Sequence, residues 1–238
     1  MSFSGGKDST AMLLKMIEEG YEIDEVIFGD SLLELPDMYR HIDYVDSYLQ
    51  KTIGLTITRL KPPLTYDEHF YGKLKKGKLK GGRRGLPYGG YPCRWSGISK
   101  GENVQRYLKE IHSDYKQYLG IATNEKNRAR LRDPIFEYPL IDWGWSEEDC
   151  RAYLKDERPE FYPLILQRFD RTGCYLCPKQ SRESLGVLYE FYPEYWEKLK
   201  SYAHDSPHSF TRNKTIDDIE EEIKHNIWRR KTLDILNS

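Results

Sequence analysis

The stretch SGGKDS, residues 4–9, decides the fold prediction for this chain. It stands between a short apolar start and a helical pattern that Gly20 ends. Two adjacent glycines let the backbone approach an anion closely, and the N–H groups at the start of the following helix point at that anion. Ser4 and Ser9 add hydroxyl hydrogen bonds, and Lys7 adds a positive charge. The stretch therefore predicts a phosphate-binding loop between a strand and a helix.

Strand and helix patterns alternate after this loop. Residues 23–29 and 54–60 have the composition of strands, and residues 36–49 have that of a helix opened by a proline. This order and spacing are typical of an α/β fold with a parallel sheet. Asp30 directly follows the strand 23–29, and ligands of open α/β sheets bind at the carboxyl ends of strands. We therefore expect Asp30 to lie beside the phosphate loop.

The composition excludes several classes of protein. The 238 residues include 37 Lys or Arg and 38 Asp or Glu, and a net charge of −1 argues against a uniformly basic nucleic-acid coat. Aromatic residues make up 13% of the chain, which is too many for a disordered protein. No apolar run approaches the roughly 18 residues of a membrane span, and no signal pattern opens the chain. We expect a soluble, cytoplasmic protein with no membrane partner.

The segment from residue 72 to 101 differs from the rest of the chain. Seven cations, with glycines between them and no acid, lie in its first part: Lys73, Lys75, Lys76, Lys78, Lys80, Arg83 and Arg84. The composition predicts a long flexible basic loop and no sheet element. The loop 73–84 either is simply solvated or binds a polyanion, either a nucleotide or a nucleic acid such as tRNA or DNA. Tyr88, Tyr91 and Trp95 follow and are candidates for stacking on bases.

Four segments in order resemble those of one known family. Residues 4–9 resemble the PP-loop of the N-type ATP pyrophosphatases, also called adenine-nucleotide α-hydrolases. Residues 30–37, DSLLELPD, resemble the D-T-G-x-x-F-P-E segment of phosphoadenosine-phosphosulfate (PAPS) reductases. Residues 120–128, GIATNEKNR, resemble their G-I-R-x-x-E/D-x-x-R segment, and residues 138–143, YPLIDW, resemble their P-L-x-D-W segment. The chain is identified as a member of the PAPS reductase-like family of the PP-loop superfamily.

The resemblance implies a fold and a set of site residues. The fold would be a Rossmann-like α/β/α sandwich over residues 1–145, with the basic loop 72–101 inside it, followed by a mostly helical region, 146–238. Asp8 would hold Mg²⁺ against the phosphate oxygens. The residues expected to be catalytic are Lys7, Asp8, Asp30 and Arg128. The residues expected to bind the nucleotide are Ser4, Gly5, Gly6, Lys7, Ser9, Asp30 and Gly120.

The cysteines indicate a metal site. Four cysteines without a secretion signal do not make a disulfide scaffold. Cys174 and Cys177, flanked by glycine and proline, have the spacing of a metal knuckle, and Cys93 is the natural third ligand, whereas the fourth ligand is unknown. Relatives often have the cysteine three residues later, where this chain has Ser96. Three thiolates suit a [4Fe–4S] cluster or Zn²⁺, and the alternative is a metal-free pair of thiols. We expect Cys150 to serve packing.

Three functions agree with these features. The first is ATP cleavage to AMP and pyrophosphate, which would adenylate a nucleobase or nucleic acid for sulfur or nitrogen transfer. The second is reduction of a sulfonucleotide, but the chain ends in LDILNS and lacks the cysteine of the reductases' E-C-G-x-H tail. The third is a non-catalytic nucleotide-binding module. Ser31-Leu32 stands where the family has Thr-Gly, so the resemblance implies the nucleotide pocket more than the reduction.

Overall fold

The computed structural model describes residues 1–77, 80–87, 92–129 and 133–236, with side chains as far as Arg229. The chain divides into two compact units. Unit 1 comprises Met1–Pro63 and Ser96–Arg168, and unit 2 comprises Leu64–Trp95 and Phe169–Ser238. None of the helices in the described ranges combines the length and apolar character that crossing a membrane requires.

A parallel sheet forms the centre of unit 1, as predicted. Its strands are β1 (Ser2–Phe3), β2 (Val26–Gly29), β3 (Ile57–Leu60), β4 (Gln117–Tyr118) and β5 (Phe136–Glu137). Parallel pairing joins β1 to β2, β2 to β3 and β4 to β5. An isolated parallel bridge between Ser2 and Leu119 links the two parts. The resulting order is β3-β2-β1-β4-β5, so the topological switch point lies between β1 and β4, where ligands of such sheets bind.

Helices make up most of the remaining structure. The α-helices are α1 (Lys7–Glu18), α2 (Pro36–Ile53), α3 (Tyr66–Phe70), α4 (Arg94–Ser96), α5 (Glu102–Ile111), α6 (Pro139–Asp142), α7 (Glu147–Ala152), α8 (Leu164–Arg168), α9 (Arg182–Phe191), α10 (Pro193–Asp205) and α11 (Ile216–Leu236). The π-helices are Gly97–Gly101 and Tyr153–Glu157, and the 3₁₀ helices are Thr123–Arg128 and Pro159–Phe161.

Both faces of the sheet are covered. All four residues of β2 are buried, although successive side chains of a strand point to opposite faces. On one face, Ile27 packs with Val104 and Leu108 of α5. A strand buried on both sides is typical of a parallel sheet between two layers of helices. This arrangement confirms the predicted α/β fold.

The segment 64–95 folds with the C-terminal helices rather than with the sheet. The ring centre of Tyr66 lies 5.3 Å from that of Trp95 and 5.2 Å from that of Tyr202 in α10. Phe70 is 0% exposed, and its ring centre lies 4.9 Å from that of Tyr202. This division differs from the linear boundary expected after residue 145, because aromatic packing takes the segment out of unit 1 and into unit 2.

The basic segment contains paired backbone, which corrects the prediction that it holds no sheet element. Lys73 and Arg83 form an antiparallel bridge. The N–H of Leu74 donates to Gly82 O, and that of Arg84 donates to Gly72 O, each at 2.9 Å. Residues 72–77 and 80–85 therefore form a short hairpin, called here the basic hairpin. Main-chain hydrogen bonds stabilise it without the alternating apolar side chains from which a strand is predicted. Lys78, Tyr88 and Tyr91 lie outside the described residues.

Candidate functional site

The phosphate loop leaves the start of α1 open to an anion. Gly5 has a φ of +75°, and a Cβ atom there would lie 2.6 Å from Met38 Cε and 3.1 Å from Ile42 Cγ1, so the loop requires glycine. Gly6 is the N-cap of α1, and within the described residues no side chain caps this helix. The first N–H groups of a helix have no intrahelical partner and attract negative charge. The loop thus offers backbone donors at the switch point of the sheet.

Two serines hold the loop in shape. Their hydroxyl oxygens, Ser4 Oγ and Ser9 Oγ, lie 2.9 Å apart, and Ser9 Oγ donates to Gly6 O at 3.0 Å. Gly120, just past β4, approaches the same loop, since a Cβ atom there would lie 3.1 Å from Ser9 Cα. The structure therefore brings together Ser4, Ser9 and Gly120, which the sequence placed in the nucleotide site.

Lys7 is the cation of this loop, and its side chain is already paired. Its Nζ donates to Glu147 Oε2 at 2.7 Å and to Asp8 Oδ2 at 3.1 Å. Burial alone would lower the pKa of Lys7, but its hydrogen bonds and charge interactions with Glu147 and Asp8 outweigh burial and raise the pKa. Lys7 is only 9% exposed, so a stable positive charge sits in a confined place at the helix start.

Glu147 is a site residue that sequence reasoning missed. Ser146 caps α7, and Glu147 is the first residue of that helix. Asn124 fixes Glu147 twice, because its Nδ2 donates to Glu147 Oε1 at 3.3 Å and its Oδ1 accepts from the Glu147 N–H at 3.1 Å. The hydrogen bond from Lys7 lowers the pKa of Glu147. The sequence showed only a capped, acidic helix start at 146–149, which does not reveal a partner 140 residues away.

Asp8 has one oxygen committed to Lys7 and one that is not. Among the described residues, Asp8 Oδ1 is a buried side-chain oxygen without a hydrogen-bond partner. Burial raises the pKa of Asp8, although Lys7 opposes this change. A buried, unpartnered carboxylate oxygen is costly to leave unsatisfied. Its position is therefore suited to a cation or a donor group that arrives with a ligand.

Asp30 orders the loop that follows β2. It is 6% exposed and accepts hydrogen bonds at Oδ1 from the Leu32 N–H at 2.7 Å and from the Tyr39 hydroxyl at 2.8 Å. Burial and the hydrogen bond to Asp30 raise the pKa of Tyr39. Asp30 lies at the carboxyl end of β2, as expected. Its carboxylate bonds to its own loop and to α2, and its N–H donates to Leu60 O of β3 at 3.0 Å.

Lys100 is a second cation at this edge of the sheet, also missed from the sequence. Its Nζ donates to Glu34 Oε1 at 2.8 Å, and Ser31 Oγ donates to the same oxygen at 2.9 Å. Lys100 lies in the π-helix Gly97–Gly101, whose backbone approaches β2 closely. A Cβ atom on Gly29 would lie only 2.9 Å from Lys100 Cα. Gly29 is therefore what allows the π-helix to reach the end of β2.

We predict that Gly29→Ala lowers the free energy of unfolding by about 1–3 kcal/mol, the usual cost of overpacking. The added Cβ meets backbone, which cannot move aside like a side chain. Gly101→Ala, in the π-helix that Gly29 contacts, is the matched control, since among the described residues a Cβ there would meet no atom within 4 Å outside its own stretch of helix. Urea unfolding of both variants checks the prediction, and equal stability of the two variants would refute it.

Leu32 has a strained backbone conformation at the carboxyl edge of the sheet. Among the described residues it is the non-glycine residue with a positive φ, +58°, and its side chain is 46% exposed. Leu32 stands where the D-T-G segment of the resembling family has glycine. The backbone at this position has a positive φ, which favours glycine, although the residue in this chain is leucine. A left-handed backbone costs a non-glycine residue about 1–2 kcal/mol.

We therefore expect Leu32→Gly to be nearly neutral for stability. Relief of strain offsets the roughly 0.5–1 kcal/mol that glycine's greater freedom in the unfolded chain costs. Leu164→Gly is the matched control, because Leu164 is 58% exposed and begins α8, so there is no strain to relieve. Thermal or urea unfolding should show Leu164→Gly to be less stable by about 1 kcal/mol than Leu32→Gly. The opposite ranking would contradict this explanation.

Arg128 lies apart from the contacts described above. It ends the 3₁₀ helix Thr123–Arg128, its side chain is 58% exposed, and it pairs with Glu125. An exposed pair of this kind contributes little to stability. The role expected for Arg128 toward a phosphate or a substrate remains a proposal.

Cys93, Cys174 and Cys177 all belong to unit 2. Burial raises the pKa of Tyr66, and the charges of Cys174 and Cys93 raise it further. Burial also raises the pKa of Cys177, on which Cys93 acts in the same direction. The N–H of Cys177 donates to Cys174 O at 3.1 Å, so the C-x-x-C stretch forms a tight turn, as predicted. Cys93 therefore acts electrostatically on Tyr66 and on Cys177 of this turn.

The three thiols are not arranged as an assembled metal site. Within the described ranges, no group of three or more His, Cys, Asp or Glu side chains is placed to hold a metal ion. All four cysteines are among the described residues, and none of them forms a disulfide. Cys150 is fully buried in unit 1, where burial and the charge of Asp8 raise its pKa. Its packing role is as expected.

Comparisons with known proteins agree with the motifs. The family model for the phosphoadenosine phosphosulfate reductase domain matches residues 1–180. Two uncharacterised proteins of Methanocaldococcus jannaschii, MJ0066 and MJ0973, are 28% and 29% identical over 97% and 98% of this chain. The chain spans 45% and 51% of their lengths, about half. A protein of Alteromonas mediterranea named phosphoadenosine 5'-phosphosulfate reductase is 23% identical over 78% of this chain and 71% of its own length.

Proposed function

Since this chain belongs to the phosphoadenosine phosphosulfate reductase domain family, we propose that it binds ATP at the SGGKDS loop and cleaves it to AMP and pyrophosphate. The cleavage would adenylate a nucleobase or nucleic-acid acceptor for sulfur or nitrogen transfer. The observation that supports this proposal most is the uncapped start of α1 with Lys7 confined beside it. This arrangement suits the charge that develops on a departing pyrophosphate.

In ATP cleavage, the residues of this chain would position the acceptor and the phosphates and would stabilise the charge on the leaving pyrophosphate. An oxygen of the acceptor attacks the α-phosphorus, the bond from that phosphorus to the bridging oxygen breaks, and pyrophosphate leaves with the bonding electrons. The backbone N–H groups of the loop and Lys7 Nζ would neutralise the leaving group. Lys7 would exchange its hydrogen bond to Glu147 for one to phosphate. A nucleophile that carries sulfur or nitrogen then displaces AMP from the adenylated acceptor.

Mg²⁺ is the cation that this reaction implies, and Asp8 fits it. Asp8 has a buried oxygen without a hydrogen-bond partner among the described residues, next to the start of α1. Mg²⁺ is usually held by one or two carboxylates and by substrate phosphates rather than by a cage of protein ligands. Bound there, it would neutralise phosphate charge. The proposal therefore assigns Asp8 to the metal and Lys7 directly to phosphate.

Sulfonucleotide reduction is the second candidate function. The observation that favours it is the likeness to the Alteromonas protein named as a phosphoadenosine 5'-phosphosulfate reductase. Two carboxylates beside Lys7 favour ATP instead, because a triphosphate brings a divalent cation with it whereas a sulfonucleotide does not require one.

The products separate the two functions. We would incubate the protein with Mg²⁺-ATP, unfractionated tRNA and a sulfide source and measure pyrophosphate, and in parallel supply a sulfonucleotide with a dithiol and measure sulfite. Pyrophosphate release that is lost in Lys7→Ala supports the proposal. Sulfite release without pyrophosphate release would establish the second candidate instead.

We further propose that Cys93, Cys174 and Cys177 bind a [4Fe–4S] cluster or Zn²⁺. The place of all three thiols in unit 2 and the tight turn of the C-x-x-C stretch support the donor chemistry. Among the described residues the three thiols do not form a ligand group, so metal binding would require a change in their arrangement. No reaction step is assigned to this centre.

A further inference from the structure

The two arginines of the basic hairpin hold its base against other residues of unit 2. Arg83 Nη1 donates to Asp205 O at 3.0 Å, and the Arg83 guanidinium carbon lies 5.4 Å from the centre of the Tyr71 ring. Arg84 Nε donates to His69 O at 3.1 Å. These contacts commit both guanidinium groups to the protein itself. The arginines therefore have a structural role that composition alone does not show.

The lysines of the hairpin are placed differently. Four of them are exposed, and within the described part of the chain their ammonium groups make no hydrogen bond or ion pair: Lys73, Lys75, Lys76 and Lys80. We call these four residues the lysine face. No acid occurs between Lys73 and Arg84 to neutralise them. A concentrated positive surface thus stands on a chain whose net charge is −1.

The hairpin also places like charges opposite each other. Lys73 pairs with Arg83 across the antiparallel bridge, and like charges directly opposite in a sheet destabilise it. The contacts of Arg83 with Asp205 O and the Tyr71 ring turn its guanidinium away from Lys73. The four lysine charges stay close to one another on the hairpin. A polyanion bound on the lysine face would relieve this repulsion.

We propose that the lysine face binds the phosphate backbone of a nucleic acid, an inference that rests on the proposed function because it names the acceptor's class. Lysine ammonium groups act as strongly hydrated point charges, which suits sequence-independent contact with many phosphates. A hairpin that inserts into a membrane would need exposed large apolar side chains, and the described residues of the basic hairpin, 72–77 and 80–85, include none. The surface therefore matches a nucleic-acid strand better than a lipid bilayer.

The test measures how binding depends on salt. The probes are unfractionated tRNA and a fluorescent 20-base-pair DNA duplex, titrated by anisotropy from low to physiological salt. The variant replaces all four lysines of the lysine face with glutamine. For the duplex, the slope of log affinity against log salt should become less negative by about 0.9 for each lost phosphate contact, or about 3.6 for four. For tRNA the slope should change in the same direction.

A matched control removes the same charge elsewhere. Four exposed lysines of unit 1, changed together to glutamine, alter the net charge equally: Lys51, Lys61, Lys109 and Lys155. This control should keep the wild-type slope. Arg84→Gln should lower the melting temperature through the lost contact to His69 O and change the slope little. Together these variants distinguish a loss of binding caused by lost local contacts from one caused by net charge or by reduced folding stability.

Each outcome decides the inference. Equal slopes for the lysine-face variant and the wild type would overturn it, as would an equal loss in the control variant. Wild-type binding to vesicles that contain phosphatidylserine but to neither nucleic acid would assign the surface to a membrane. The lysine-face variant should bind ATP as the wild type does. Intact ATP binding without nucleic-acid binding would reject this inference alone, whereas absent ATP binding would reject the proposed function.

Discussion

Lys7→Ala should weaken the binding of Mg²⁺-ATP by about 1–3 kcal/mol, the scale of a hydrogen bond to a charged group, which is roughly a fivefold to 150-fold change in affinity. Lys7 is 9% exposed and stands at the open start of α1, so its charge acts in a confined place with little screening. Removing it leaves Glu147 and Asp8 as unneutralised carboxylates beside the phosphates. Isothermal titration calorimetry gives the affinity directly.

Lys15→Ala is the control for this variant. Lys15 lies on the same helix, and its Nζ forms an ion pair with Glu19 Oε1 at 2.7 Å, away from the loop. The same charge is lost, but ATP affinity should stay at the wild-type value. If the two variants lose affinity equally, the effect is one of net charge and the phosphate-loop assignment fails.

Cys177→Ser should abolish metal binding in protein purified without oxygen. Structural Zn²⁺ sites hold their metal by about 10–16 kcal/mol in small domains, and loss of one thiolate from a three-thiolate set removes much of that energy. Elemental analysis distinguishes iron from zinc, and visible absorption reports an iron–sulfur cluster. We expect metal in the wild type, none in Cys177→Ser, and a lower melting temperature in the variant.

Cys150→Ala is the matched cysteine control. Cys150 is buried in unit 1 and belongs to a different unit from the other three cysteines. The variant should keep its metal even if it loses some stability. Wild-type protein without stoichiometric metal, or equal loss of metal in both variants, would leave Cys174 and Cys177 as a metal-free thiol pair.

The local parts of this fold could be predicted from the sequence. The loop 4–9 and the strands β2 and β3 follow from glycine spacing and apolar runs, and they lie where expected. Strand starts shifted by a few residues: the predicted strands 23–29 and 54–60 begin at Val26 and Ile57, and β4 and β5 have only two residues each. Such short strands carry too few side chains for a clear alternating pattern.

The long-range pairs of the site could not be predicted. Lys7 meets Glu147 across 140 residues, and Lys100 meets Glu34 across 66. Neither acid has a local pattern that distinguishes it from a surface carboxylate, because only the closing of the sheet and its helices brings the partners together. The basic hairpin was missed for another reason: its glycines and lysines resemble those of a solvated loop, while backbone hydrogen bonds determine its structure.

The most direct test of the central claim is a crystal structure with α,β-methylene-ATP and Mg²⁺, since this analogue cannot be cleaved between its α and β phosphates. The claim predicts phosphate oxygens within hydrogen-bonding distance of the backbone N–H groups of Gly6 and Lys7. Lys7 Nζ should have turned from Glu147 Oε2, now 2.7 Å away, to a phosphate, and Mg²⁺ should lie beside Asp8 Oδ1. Phosphates bound elsewhere, with the Lys7–Glu147 pair intact, would contradict it.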